Sequence, residues 1–172
     1  MKNFVFLLAL FALFAFVSCE KDADSSENDP CLCFCDCYLT KITFGHFYGK
    51  CAGEGCVEIF TIDPNNQQLL EDVRDAYPNS GTFYAGDFSI EHSEEKYDLV
   101  SDLAQYFPES LFDETETKIG EPDAGDWGGI YLEIQTAELH RFWLLDQKDS
   151  NMPEEYNAFV DKINEKIAII HQ

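Results

Sequence analysis

The sequence predicts an α+β fold, a mostly antiparallel β-sheet packed on one face by two helices, and three observations lead there. Short β-rich runs crowd the first half of the body, residues 38–91. Two later stretches carry apolar side chains at helical spacing. Between those stretches lie two further β-rich runs joined by a short turn.

Each element has its own reason. Residues 38–48, YLTKITFGHFY, alternate so that Ile42, Phe44, His46 and Tyr48 share one face of a strand. Residues 56–62, CVEIFTI, form a second β-rich run, stopped by the turn chemistry of Asp63, Pro64, Asn65 and Asn66. Residues 67–77 fit either a strand or a short helix and end at Pro78-Asn79-Ser80-Gly81. Residues 82–91, TFYAGDFSIE, read as another strand, with Gly86 as the place for a bulge.

Ser93 then has the character of a helix N-cap, with Glu94 and Glu95 complementing the dipole of the first turn. Tyr97, Val100, Ala104 and Phe107 recur at helical spacing, as do Leu99, Leu103 and Tyr106, until Pro108 closes the segment. Residues 120–129, GEPDAGDWGG, form the longest loop. Residues 130–136 and 139–145 predict a β-hairpin. Pro153 suits the start of a last helix, whose buried face is marked by Tyr156, Phe159, Val160, Ile163, Ile167 and Ile170.

Ahead of this body stands a leader. Lys2 supplies a positive charge, and residues 4–17 are almost continuously apolar, the length of a signal peptide and short of the roughly 20 residues that cross a bilayer. Phe16-Val17-Ser18-Cys19 resembles the lipobox of bacterial lipoprotein precursors, with Phe16 standing where Leu is usual. The resemblance implies cleavage after residue 18 and acylation of Cys19, with diacyl and palmitate-type chains holding the mature protein to a membrane. Each buried CH₂ adds about 0.8 kcal/mol of membrane affinity.

Residues 20–30, EKDADSSENDP, contain no aliphatic side chain larger than Ala and predict a flexible tether. Their acidity beside Cys19 resembles the surface-export signal of Bacteroidota-type lipoproteins. The expected organisation is therefore a signal peptide over 1–18, an acidic, Cys-rich tether over 19–37, and one α+β domain over 38–172. The expected location is the bacterial cell envelope, at the outer membrane and exposed on its surface.

With residues 1–18 removed, 10 basic residues face 33 acidic ones, a formal charge of −23. That balance argues against nucleic acid, whose phosphates require clustered Lys and Arg. It repels anionic bilayer surfaces and leaves anchoring to the lipid. An envelope protein or a cationic ligand is electrostatically welcome, although a solvated acidic surface gives the same composition.

Six cysteines remain after Cys19 is set aside. Cys31, Cys33, Cys35 and Cys37 alternate in CLCFCDC, and Cys51 and Cys56 flank a loop holding Gly53 and Gly55. An even number suits disulfides in an oxidising compartment, and 15 pairings are open. Alternate Cα atoms in an extended strand lie about 6.6 Å apart, near the upper limit for a disulfide. All four residues of CLCFCDC therefore cannot pair internally without a turn. The two glycines favour a Cys51–Cys56 bond. A soft ion, copper or zinc, held by Cys31, Cys33, Cys35 and Cys37 is the alternative, although zinc sites more often use knuckles with two to four intervening residues.

Catalytic motifs are not legible. His46, His92, His140 and His171 are scattered, and there is no nucleophile elbow or phosphate-cradling glycine loop. Asp123, Asp126 and Trp127 are the binding candidates: two carboxylates beside glycines, without EF-hand spacing, and an indole that either contacts a ligand or plugs the sheet. Residues 44–50, FGHFYGK, offer a recognition face or simply core. Residues 44–56 with Phe142-Trp143-Leu144-Leu145-Asp146-Gln147 are similar to a group of uncharacterised bacterial lipoproteins of no known activity. The resulting expectation is a lipid-anchored binding domain without a cofactor. The alternatives are metal handling through CLCFCDC, or an envelope enzyme built on His46 or His140 beside a carboxylate.

Overall fold

The computed structural model describes residues 39–172. The leader, Cys19, Cys31, Cys33, Cys35 and Cys37 lie outside the described residues. Within them runs a seven-stranded sheet: β1 (Leu39–Phe47), β2 (Val57–Asp63), β3 (Gln68–Asp72), β4 (Phe88–Glu91), β5 (Lys118–Ile119), β6 (Gly129–Thr136) and β7 (His140–Asp146). The spatial order is β4-β3-β2-β1-β6-β7-β5, and every pair is antiparallel except β5 with β7. Helices α1 (Glu94–Val100) and α2 (Glu154–Ile170) cover one face. The α+β architecture read from the sequence is the architecture observed.

Alternation sorts the strands into two faces. Ile42, Phe44, Phe60, Ile62, Leu69, Ile130, Leu132, Ile134, Trp143 and Leu145 point toward the helices. All six residues expected on the buried face of α2 are buried there. Each contributes on the order of 1.5–3 kcal/mol by leaving water. Lys166, on the same helix, is also buried, and its ammonium is spent on the Leu99 carbonyl (2.8 Å) and on Asp102 (2.5 Å), tying α2 to the segment after α1.

Phe47, Val57, Ile59, Tyr131, Phe142 and Leu144 form a smaller cluster on the opposite face, with Tyr84 and Phe88 against it. Between β1 and β2 the strands come unusually close. A Cβ on Gly45 would fall 1.9 Å from the Glu58 carbonyl oxygen, so no other residue fits there without moving β2.

The structure decides one local expectation left open and corrects two. Residues 67–77 resolve into strand β3, whose Leu69 is fully buried, followed by irregular chain. Residues 82–91 contain a strand only at Phe88–Glu91, and the register irregularity falls opposite Glu71 and Asp72 rather than at Gly86. Residues 82–87 instead lie over the second face, where the Phe83 ring meets Phe142 and the Tyr84 ring meets Tyr131. The helix opened by Ser93 is α-helical only to Val100 and continues as a 3-10 turn over Ser101–Tyr106. That tighter turn buries Leu103 and Ala104 and leaves Tyr106 exposed, as Leu99 of α1 is before it. The two-residue strand β5 went unread, being too short to show periodicity.

Candidate functional site

The face without helices is covered by residues 73–88 and 120–128, and aspartates hold both segments. Asp72, at the end of β3, is buried. It accepts the Tyr84 hydroxyl (2.5 Å), the Asp75 amide (3.0 Å) and the Asp87 amide. Tyr84 in turn donates its amide to the Tyr131 hydroxyl (2.9 Å), which donates to Glu133. Burial first, then these carboxylate partners, push the Tyr84 and Tyr131 phenols above their ordinary range, so both remain neutral donors.

Asp146, the last residue of β7, is fully buried and has four donors: the Glu121 amide (2.8 Å), the Lys148 amide (2.9 Å), the Trp127 indole (2.7 Å) and the Asn151 amide group (2.7 Å). Burial opposes its charge, yet these hydrogen bonds outweigh burial and hold its carboxyl below the usual range.

The sequence-derived binding candidates belong to this scaffold. Asp123 accepts the Gly49 amide (2.7 Å) and the Tyr77 hydroxyl (2.8 Å) on one oxygen and the Gly128 amide (3.1 Å) on the other. Its oxygens are turned toward protein donors, not toward an ion. Asp126 pairs at the surface with Lys50 at 3.0 Å. Trp127 is half-buried: its N–H donates to Asp146, and Lys148 lies 4.9 Å over its ring. Among the described residues no group of three or more His, Cys, Asp or Glu side chains is arranged to hold a metal ion. Of the FGHFYGK stretch, Phe44 and Phe47 are core, on opposite faces of the sheet.

What this scaffold builds is a cleft of about 340 Å³. It is lined by Phe47 and Leu144 from the sheet, by Tyr77, Pro78, Asn79 and Ser80, and by Lys118 and Pro122. Two hydrogen bonds fix the width: Thr117 donates its hydroxyl to the Ser80 carbonyl (2.8 Å) and accepts the Leu144 amide on its own carbonyl (2.7 Å). Tyr77 is the feature that stands out. Its ring meets Phe47 edge-on at 5.1 Å, its hydroxyl is held by Asp123, and half of the residue is still exposed. Burial, then the Asp123 hydrogen bond, raises its phenol to about 12. A fixed, neutral, half-exposed aromatic beside two prolines is preorganised for contact. A second hollow, about 520 Å³ beside Pro153, Glu154, Glu155 and Ala158, is a broad open depression at the start of α2.

Every histidine is paired with a glutamate: His46 and His171 with Glu58, His92 with Glu71, and His140 with Glu133. His46 and His140 point to opposite faces, since His46 pairs in register with Ile130 on the helix side and His140 with Gln135 on the other. They cannot share one active site. His140 is stacked on Phe83 at 3.9 Å beside Glu133.

The Cys51–Cys56 disulfide is present, closing the loop between β1 and β2. No helix among the described residues is long and apolar enough to cross a membrane. No protein-family model matches the chain, and no match was found among curated proteins or solved structures.

The cleft residues were hidden in the sequence. Pro78-Asn79-Ser80-Gly81 announced a turn, but nothing local to it says that Lys118 and Leu144 lie across from it.

Proposed function

We propose that this chain is a cell-envelope lipoprotein, anchored through acylated Cys19, whose domain binds an envelope protein and performs no chemistry of its own. The cleft beside Tyr77 receives one side chain or short segment of that partner. The observation that carries the reading is the half-exposed Tyr77, its hydroxyl held by Asp123, lining a cleft of mixed polar and apolar character. Aromatic anchors held in place before binding lose little entropy on contact and are typical interface hot spots. The chain as a whole carries a formal charge of −22, so a cationic partner is electrostatically favoured.

The test uses the full-length chain in its native cells with a photo-crosslinking amino acid at position 77, and the same probe at Ala158 as control. One reproducible crosslinked protein from position 77 and none from 158 is expected. Equal capture from both positions, or none from 77, overturns the reading. Cys19→Ser examines the anchor separately, and is expected to move the protein from the membrane fraction to the soluble one.

A further inference from the structure

At the rim where α2 ends, three elements meet around one carboxylate oxygen. His46 comes from β1, Glu58 from β2, and His171 caps α2. Glu58 Oε2 lies 3.2 Å from His46 Nε2 and 2.7 Å from His171 Nε2. His46 Nε2 is also 3.3 Å from the Gly55 carbonyl in the disulfide-closed loop. His46 and Glu58 are mostly buried, whereas the His171 side chain is 46% exposed.

We propose that this shared carboxylate is a proton-operated clasp: with His46 neutral the last turn of α2 is held on the sheet, and a proton on His46 releases it.

The chemistry follows from the count of charges. With both imidazoles neutral, each turns an Nε2–H toward Glu58. A proton on His171, the more exposed imidazole, makes an ion pair with Glu58 and keeps the clasp closed. A second proton, on His46, places two cations on one carboxylate oxygen in a half-buried site, where their repulsion is poorly screened.

The groups facing His46 are few. Just past the end of its own strand the Tyr48 ring is 5.1 Å away, and on β6 the residue opposite is Ile130, which is apolar. β2 offers Glu58, the loop Gly55, and α2 His171. Beyond Glu58, Phe60 lies between His171 (6.2 Å) and His92 (6.0 Å), and His92 is bound to Glu71 on β3. From α1, Lys96 donates to the Ile170 carbonyl of the same last turn. The two imidazoles are the groups within ion-pair distance of Glu58, among the described residues, that can become cations.

Burial holds the pKa of His46 below its ordinary 6.5; Glu58 and the Gly55 carbonyl pull it up, and His171 pushes it down further. When the turn lifts, His46 regains water and loses His171 as a neighbour, so its pKa returns toward 6.5. Opening therefore takes up a proton. Docking is complete above pH 6.5 and weakens as pH falls from there to the lowered value of the closed state; below that value this group adds no further change.

Amide hydrogen exchange on the mature, full-length chain tests this between pH 7.5 and 5.5, after correction for intrinsic rates. Protection of the amides bonded within the last turn, such as His171 N to Ile167 O, is expected to fall several-fold, while the β1–β6 amides hold. His46→Asn is expected to abolish that pH dependence. Because this variant risks misfolding, the wild-type imidazole resonances are titrated in parallel, and His46 protonation must coincide with loss of protection. Equal protection at both pH values, undiminished pH dependence in His46→Asn, or a His46 titration separate from the loss overturns the proposal.

Discussion

On one face of the sheet, α2 buries Phe159, Ile163 and Ile167 within the core cluster that holds Phe44 and Leu132. On the other, chain without regular structure is held down by Asp72, Asp123 and Asp146, each saturated with donors. The first face is stabilised by the area it removes from water, which is non-directional and tolerant of changes in shape. The second depends on directed hydrogen bonds to charged groups, which are specific in geometry and lost when a carboxylate is protonated or removed. The difference explains why the cleft lies where it does. Irregular chain held by carboxylates leaves backbone and aromatic edges open at its borders, whereas the helix-covered face closes over itself.

That comparison is broken most severely from the helix side. Phe159→Ala removes a fully buried ring and leaves a cavity, and the expected loss is about 3–5 kcal/mol, read from the shift in denaturant midpoint at unchanged slope. The loss is expected to be independent of pH between 3 and 7. A smaller and differently behaved effect comes from the other face. Asp146→Ala leaves four donors without their shared acceptor, and about 3 kcal/mol is expected at neutral pH, with Trp127 fluorescence moving as its indole is freed.

The sign with pH separates the two faces. Asp146 has a lowered pKa in the fold, so its contribution is fully present above the ordinary 3.8 and is lost as pH falls through the lowered value. The gap between wild type and Asp146→Ala should therefore close in acid, whereas the gap for Phe159→Ala should not. Parallel behaviour of the two variants would mean that the second face is also held mainly by burial.

The same division governs what could be read in the sequence. Period-two and period-3.6 patterns report burial, so β1, β2, the β6–β7 hairpin and the buried stripe of α2 were all legible. Carboxylate scaffolds have no such period. Asp146 is one of 33 acidic residues, and its partners come from positions 121, 127, 148 and 151. Their convergence is a property of the folded chain. That Asp123 would fix Tyr77 was not readable, since 46 residues separate them. Residues 82–87 misled for a related reason: aromatic alternation looks the same whether the chain joins a sheet or lies across one.

The disulfide gives the smallest of these effects and bears on both the loop and the CLCFCDC stretch. Cys51 and Cys56 close a loop with a sequence separation of five, so chain entropy predicts that replacing both by Ser costs about 2 kcal/mol. Part of this loss should be recovered locally, because the Tyr48 amide still donates to the Cys56 carbonyl at 2.8 Å and holds the base of the loop. A loss well below 2 kcal/mol would show that this backbone bond closes the loop nearly as well as the sulfurs do. Intact mass of the same sample, before and after reduction, carries the argument to CLCFCDC. With Cys51 and Cys56 bound to each other, Cys31, Cys33, Cys35 and Cys37 can draw on neither. Fully extended, they cannot all pair among themselves. A mass six hydrogens below the reduced form requires that segment to turn back on itself. A mass two hydrogens below it leaves four thiols, and a metal assay then decides whether copper or zinc occupies them.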